Sequence, residues 1–211
     1  MSYEIIQPGN SEYVEKKSRF IGILSTVGSE EEALEFIKAK KKQYYDARHN
    51  CYAYIIADSI ARSSDDGEPG GTAGRPILEV MEHAGVVNAV LVVTRYFGGV
   101  LLGTGGLTRA YSEAAKGAVA DAVLMQRVEG RILTIGTDYN GYGKIEYILR
   151  REECHITDTQ YDSAVTVTAV CPEEKHEALV KRITDETAAQ ARIEVSDPVV
   201  YGDMKGKIEI L

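Results

Sequence analysis

Short apolar blocks alternate with polar ones along the first half of the chain and predict a mixture of strands and helices. FIGILSTV (20–27), CYAYIIAD (51–58) and the apolar run 88–94 have the length and β-branched content of strands. The run 88–94 carries no charge, which is typical of a strand buried on both faces. SEEEALEFIKAKKKQY (29–44) predicts a helix, with Ser29 as N-cap, acidic residues first and basic residues last, as the helix dipole favours.

Two further helices are predicted after glycine-rich segments of this half. Pro76 suits a first helical position, because its missing N–H would have no partner there, and Gly85 ends the apolar repeat that follows. The second of these helices has an apolar face rich in alanine, which indicates close packing against a sheet. That face consists of Leu107, Ala110, Tyr111, Ala114, Ala115, Ala118 and Val119.

The second half, from about Glu129, has a more regular pattern. Its segments predict strand, helix, strand, strand, helix and strand, in the order RILTIGTD, NGYGKIEYILRREE, CHITDTQY, SAVTVTAV, PEEKHEALVKRITDETA and RIEVSDPVVY. A β-α-β-β-α-β order within about 75 residues is the ferredoxin-like plan. We therefore predict an α+β protein with two domains, residues 1–126 and 127–211.

Composition and charge limit the classes of function. The net charge of −8 disfavours non-specific binding to naked nucleic acid, and neither half is basic, so an RNA contact requires a local arrangement of basic residues. The first twenty residues lack the pattern of a signal peptide, and no apolar run reaches the roughly 18 residues of a membrane span. We expect a cytoplasmic protein without membrane association.

The number and spacing of the cysteines also favour a cytoplasmic protein. The three cysteines, an odd number at wide spacing, suit a reducing compartment and not a disulfide framework. No C-x-x-C or H-E-x-x-H occurs, so we expect neither a metal site nor a cofactor. Cys51 lies in an apolar strand pattern, which favours a buried and inert thiol.

The segment SDDGEPGGTAGRP (64–76) combines four glycines, two prolines and three carboxylates. The carboxylates are those of Asp65, Asp66 and Glu68. Three interpretations are open: they hold a divalent cation, they act as a general acid–base pair, or they cap backbone donors and pair with arginines such as Arg75 or Arg95. A magnesium site would also need a substrate phosphate, and acid–base work would need a shifted pKa and a positioned partner.

The segment TRYFGGVLLGTGGLTRAY (94–111) leaves a buried strand, passes five glycines and enters a helix. Glycines before a helix N-terminus let an anion approach the free N–H groups, and Arg95 at the strand end and Arg109 in the first helical turn would add charge. The segment has neither the Lys-Ser/Thr of a P-loop nor a G-x-G-x-x-G. The alternative is that these glycines only make tight turns and permit close helix packing. The two glycine-rich segments could share one face of the domain, with His49 directed toward it or serving structure alone.

Four segments together resemble the IMPACT family and its bacterial YigZ-like members. They are KKSRFIG (16–22), ARHNCYAY (47–54), SDDGEPGGTAGRPIL (64–78) and VVTRYFGGVLLGTGGLTRAY (92–111). The resemblance implies a first domain like the fourth domain of elongation factor G and the second domain of a small-subunit ribosomal protein. It implies a ferredoxin-like second domain akin to the fifth domain of that factor. Eukaryotic members regulate translation under amino-acid stress, and the likeness to a translocation factor suggests RNA or ribosome binding.

Two functions are therefore weighed. The first is a non-enzymatic regulator of translation that binds RNA, the ribosome or a ribosome-associated protein through the face formed by the glycine-rich segments, where arginine and aromatic side chains could stack on unpaired bases. The second is a nucleotide- or phosphometabolite-binding enzyme, similar to GHMP-type kinases, that uses the glycine-rich segment with Asp65 or Asp66. The candidate binding residues are His49, Asp65, Asp66, Glu68, Thr72, Arg75, Arg95, Tyr96, Phe97, Gly98, Gly99, Gly103, Gly105, Gly106 and Arg109.

Overall fold

The computed structural model describes residues 2–57, 60–204 and 207–211. The first elements along the chain are β1 (Tyr3–Gln7), β2 (Gly9–Glu15), β3 (Ser18–Thr26), α1 (Glu30–Gln43), β4 (His49–Ile56), β5 (Ile60–Ser64), α2 (Gly74–Ala84), β6 (Ala89–Tyr96), α3 (Gly103–Asp121) and β7 (Val123–Thr137). The remaining elements are α4 (Tyr139–Arg151), β8 (His155–Tyr161), β9 (Val165–Pro172), a 3₁₀ turn (Glu173–Lys175), α5 (His176–Glu186), β10 (Arg192–Val195), β11 (Val199–Met204) and β12 (Lys207–Ile210). Asp58, the last residue of the predicted strand 51–58, lies outside the described residues.

The chain divides into two compact units, Met1–Gln126 and Arg127–Leu211. In the first unit, the uncharged apolar run forms β6, the centre of a five-stranded antiparallel sheet in the order β2-β3-β6-β4-β5. Every residue of β6 before Tyr96 is buried, which confirms the expectation of a strand covered on both faces. Side chains alternate along β6, so that Leu91 and Val93 pack toward α2 and α3, whereas Val90 and Val92 pack toward α1.

The ends of the first two helices follow the local capping signals. The Ser29 hydroxyl accepts a hydrogen bond from the backbone N–H of Glu32, as predicted for α1, and Gly85 ends α2 in a left-handed conformation with φ of 67°. However, α2 begins at Gly74 and not at Pro76. The reason is that a carboxylate of the preceding loop, that of Asp65, accepts hydrogen bonds from the N–H groups of Ala73 and Gly74 and satisfies donors that the end of a helix would otherwise leave free.

Helix α3 corrects a second expectation. It begins at Gly103, so three glycines that the sequence placed in a loop lie in its first turns, and Arg109 lies in the second turn and not in the first. Glycine has low helix propensity, but burial of the apolar face from Leu107 onward stabilises the helix enough to include Gly105 and Gly106.

The second unit has the predicted ferredoxin-like order. Its strands pair antiparallel in the order β10-β7-β9-β8, and α4 and α5 contribute Ile145, Ile148, Leu149, Leu179 and Ile183 to a core shared with β7 and β9. The predicted last strand, 192–201, is interrupted: β10 and β11 both pair with β7, but Ser196 and its neighbours separate them. There the Ser196 hydroxyl accepts from the N–H of Ile132 at 3.0 Å, and Pro198 has no N–H to donate to a ladder.

The structure is therefore α+β in both units, as the sequence predicted. Within the described residues, no helix has the length and apolar character that crossing a membrane requires.

Candidate functional site

A pocket of about 420 Å³ lies in the first unit, at the place where the two glycine-rich segments meet. Its walls are formed by Arg48 and His49 at the start of β4, the turn from Gly67 to Pro69, the end of β6, and the segment that leads into α3. The structure thus brings together parts of both segments, which the sequence suggested could share one face.

The floor of the pocket contains a buried ion pair. Nη1 of Arg95 lies 2.6 Å from Oε1 of Glu68, and these side chains are only 6% and 3% exposed. The hydroxyl of Tyr111 donates a hydrogen bond of 2.8 Å to the same oxygen, and burial raises the pKa of that phenol strongly. Because a buried carboxylate needs such partners, this set of contacts explains how Glu68 stays inside the protein.

The contacts of Glu68 are one-sided. Arg95, Tyr111 and His49 all approach Oε1, and Oε2 accepts no hydrogen bond from the described residues. Nε of Arg95 is likewise buried without a hydrogen-bond partner. A carboxylate oxygen at the floor of a pocket that accepts no hydrogen bond from the protein is a place where a ligand can donate one.

His49 is oriented by a backbone carbonyl. Nδ1 lies 2.8 Å from the carbonyl oxygen of Asp66, which can only accept, so Nδ1 carries a proton. Nε2 therefore has the lone pair when the ring is neutral, and it lies 3.9 Å from Oε1 of Glu68. The His49 ring therefore lines the pocket, with Nε2 beside the Glu68 carboxylate.

Asp65 has a structural role. Its oxygens accept three backbone hydrogen bonds, from Gly71 at 2.8 Å, Ala73 at 2.9 Å and Gly74 at 2.8 Å. Burial alone would raise the pKa of this carboxyl, but the three hydrogen bonds outweigh it and the net shift is downward. Asp65 thus fixes the loop and the start of α2.

Asp66 is also committed to the fold. One oxygen accepts from the backbone N–H of Asn50 at 2.7 Å, and the other pairs with Lys41 at 2.5 Å. Of the three interpretations left open by the sequence, capping and ion pairing are what the structure shows for all three carboxylates. No group of three or more metal-ligating side chains occurs in the described part of the chain.

Several candidates lie away from the pocket. The hydroxyl of Thr72 closes the loop by donating to the carbonyl of Pro69 at 2.7 Å, and Arg75 pairs along α2 with Glu79 at 2.9 Å. Tyr96 points to the opposite face of the sheet from Arg95, where its hydroxyl donates to Asp46. Arg109 is exposed on α3 and does not line the pocket.

Phe97 stands at the mouth of the pocket and is 38% exposed. The guanidinium carbons of Arg48 and Arg95 lie 5.3 Å and 5.6 Å from its ring centroid, within the range of cation–π contacts. Beside it, Leu101 is 84% exposed. Arg48 and Leu101 were not among the sequence candidates, although the position of Arg48 directly before His49 was a usable signal.

The glycines of this region have different roles. A Cβ on Gly98 would lie 2.1 Å from the backbone carbon of Lys17, so the chain needs glycine for close approach there. Gly99 and Gly103 have φ of 84° and 71°, in the left-handed region that favours glycine. A Cβ on Gly105 would meet nothing within 4 Å, and one on Gly106 would lie 3.1 Å from Cβ of Leu102. The turn-making interpretation therefore explains Gly98, Gly99 and Gly103.

The first turn of α3 faces the pocket through Gly103 and Thr104. No side chain caps this end of the helix, and no acidic residue lies in its first turn. The N–H groups of the turn and the helix dipole therefore give the mouth of the pocket a positive potential.

The cysteines take no part in the pocket. All three are free and buried, and burial raises the pKa of the Cys51 thiol strongly. Its sulfur lies 3.0 Å from the carbonyl oxygen of Asp65, to which it donates. This agrees with the expected inert thiol.

Comparison with known proteins covers both units. The Impact N-terminal domain family matches residues 16–119, and a domain of unknown function (DUF1949) matches residues 135–190. The chain is 39% identical over 193 residues to IMPACT family member YvyE of Bacillus subtilis, covering 90% of this chain and 89% of that protein. It is 34% identical over 174 residues to IMPACT family member YigZ of Escherichia coli, covering 81% and 85%.

Two further comparisons are a sequence match over a shorter segment and a match to a solved structure. Protein IMPACT of Rattus norvegicus is 41% identical over 69 residues, which cover 30% of this chain and 21% of the rat protein. A crystal structure of a hypothetical protein matches with a TM-score of 0.59 and 29% sequence identity, covering 93% of this chain and 97% of that one.

Proposed function

The chain belongs to the IMPACT family, and from that premise we propose that it is a non-enzymatic regulator of translation that binds RNA at the pocket of its first unit. The observation that carries the proposal is the exposed Phe97 ring beside the Arg48 guanidinium at the mouth of the pocket. Exposed aromatic and arginine side chains stack on unpaired bases, and this contact tolerates many sequences.

A local concentration of positive charge supports this surface despite the net charge of −8. Gly98 packs against Lys17, so the exposed Lys16 and Lys17 lie next to the segment that contains Phe97. Neither these lysines nor Arg48 pairs with a carboxylate among the described residues. Unpaired cations next to an aromatic ring match the phosphate and the base of a single-stranded nucleotide.

The enzymatic alternative receives less support from the same contacts. A GHMP-like phosphotransferase would need Asp65 or Asp66 to hold magnesium or to act as a base. Both carboxylates are instead engaged by backbone N–H groups and Lys41.

The test is binding of fluorescein-labelled heptauridine by the full chain, followed by fluorescence anisotropy at several salt concentrations. We expect affinity to fall as salt rises, and the double variant Lys17→Gln/Arg48→Gln to bind about tenfold more weakly, with a salt dependence smaller by about two phosphate contacts. The matched control is Arg75→Gln/Lys116→Gln, which removes the same charge from residues that neither line the pocket nor lie next to Gly98. Equal weakening by both double variants, or no binding by the wild type at low salt, would refute the proposal.

Sedimentation of the tagged chain in a lysate tests the link to translation. Salt-sensitive migration with ribosomal particles that Lys17→Gln/Arg48→Gln loses would support ribosome binding through this surface. A chain that stays at the top of the gradient at both low and high salt would argue against stable ribosome binding.

A further inference from the structure

The interior of the pocket offers hydrogen-bond acceptors. Oε2 of Glu68 accepts no hydrogen bond from the described residues, and only 3% of the side chain is exposed. Nε2 of His49 lies next to this carboxylate and accepts when the ring is neutral. Because Arg95 and Tyr111 already stabilise the carboxylate through Oε1, the free oxygen stays an acceptor, and a ligand in the pocket must present donors to it.

The mouth and the walls of the pocket suit other parts of a ligand than hydrogen-bond donors. The uncapped first turn of α3 and the Arg48 side chain suit an anionic group at the mouth. The Phe97 ring at the mouth and the apolar side chains of Leu102 and Leu107 also line the pocket. A ligand that fits has an anion at one end, a flat or apolar middle and hydrogen-bond donors at the other end. A volume of about 420 Å³ is within the size range of small-molecule sites.

A single nucleotide of RNA has this distribution of groups, with its phosphate at one end and the Watson–Crick edge of its base at the other. The four bases differ at that edge. Guanine presents two adjacent donors, N1–H and the N2 amino group, whereas in adenine, cytosine and uracil each donor lies beside an acceptor. An acceptor atom of the base that faced the Glu68 carboxylate would place two lone pairs against each other inside the pocket, which would weaken binding.

We propose that the pocket binds one unpaired guanine of an RNA, with N1–H and the N2 amino group directed to Glu68 and His49 and the phosphate beside the first turn of α3. The inference rests on the proposed function and adds base specificity to it. Phosphate contacts supply affinity for any sequence, whereas the hydrogen bonds to the base edge specify which nucleotide enters.

The experiment compares three labelled RNAs of equal length with the full wild-type chain: heptauridine, heptauridine with a central guanosine, and heptauridine with a central inosine. We expect the guanosine RNA to bind at least tenfold more tightly than heptauridine. The inosine RNA should fall between them, because hypoxanthine keeps N1–H and lacks the N2 amino group. Measurable binding with equal Kd for all three would overturn the guanine site and leave the proposed function standing, whereas no binding of any RNA at low salt would overturn both.

A variant tests the role of Glu68 directly. Glu68→Gln can keep one acceptor oxygen for Arg95 and Tyr111, and it then turns an amino group toward the pocket. We expect the ratio of affinities for the guanosine RNA and heptauridine to fall to about one, while Arg75→Gln, outside the pocket, keeps the wild-type ratio. A folded Glu68→Gln protein that retained the preference would overturn the inference. If this variant does not fold, the comparison of guanosine with inosine on the wild type still decides.

Discussion

Nη1 of Arg95 lies 2.6 Å from Oε1 of Glu68, and more than nine-tenths of each side chain is buried. A buried pair of charges recovers the cost of desolvation only when both partners are present. The same contact therefore serves two purposes. It connects the end of β6 to the loop before α2, and it holds a carboxylate at the floor of the pocket with one oxygen that accepts no hydrogen bond from the described residues.

Removing one charge of this pair should destabilise the first unit. Arg95→Met leaves the Glu68 carboxylate buried without its cation, and we expect the free energy of unfolding to fall by about 3–5 kcal/mol. The double variant Glu68→Gln/Arg95→Met removes both charges and should recover part of that loss. Urea denaturation followed by circular dichroism measures both. A loss below about 1 kcal/mol in Arg95→Met would show that the pair contributes little.

The Asp65 carboxylate should stabilise the protein in a pH-dependent manner. Asp65→Ala leaves the N–H groups of Gly71, Ala73 and Gly74 without their acceptor, and we expect a loss of about 1–2 kcal/mol at neutral pH. Because folding lowers the pKa of Asp65, its contribution is fully present above the unfolded-state pKa, and it is lost as the pH falls through the folded-state pKa.

Thermal unfolding of the wild type and Asp65→Ala between pH 7 and pH 2 checks this. The difference in melting temperature should shrink as the pH falls. Asp65→Asn is the matched control, since it keeps one acceptor oxygen and cannot titrate in this range. It should lose less stability than Asp65→Ala at pH 7. A difference between wild type and Asp65→Ala that is independent of pH would contradict the capping role.

Local patterns in the sequence predicted much of the fold. Ser29 and Gly85 mark helix ends through their own backbone and side-chain chemistry, and the strand order of the second unit follows from periodicity within each segment. Helix α3 was placed too late because glycine at positions such as Gly103 is unfavourable in a helix when considered alone. Packing of residues farther along the helix decided its start, and a local rule does not contain that information.

The floor of the pocket was harder to predict. Glu68 lies in a loop rich in glycine and proline, where a charged side chain is usually solvent-exposed. Its burial depends on Arg95, 27 residues later, and on Tyr111, 43 residues later. Such long-range contacts become apparent only when β6 and α3 are placed beside the loop. For the same reason, the sequence could nominate Asp65, Asp66 and Glu68 together but could not separate the two that hold the loop from the one that lines the pocket.

Two glycines of the second segment should respond differently to the same substitution. In Gly98→Ala the new Cβ would lie 2.1 Å from the backbone carbon of Lys17, and backbone cannot move aside cheaply, so we expect a loss of about 1–3 kcal/mol or more. In Gly105→Ala the methyl group meets nothing within 4 Å, and higher helix propensity should leave stability unchanged or raise it by up to about 1 kcal/mol. Urea denaturation of both variants checks this. Equal effects at the two positions would contradict the close approach of Gly98 to β3.

Phe97 should contribute to RNA binding far more than to folding. Phe97→Leu keeps an apolar side chain but removes the aromatic face beside Arg48, and we expect heptauridine to bind about tenfold more weakly, in line with the loss of one stacked base. Because the side chain is 38% exposed, the free energy of unfolding should change by less than about 1 kcal/mol. The matched control is Tyr147→Leu, which removes an aromatic ring that is 59% exposed in the second unit. Anisotropy and urea denaturation on the same preparations separate the two effects. Unchanged RNA affinity in folded Phe97→Leu, or an equal loss in Tyr147→Leu, would show that stacking on Phe97 does not carry the binding.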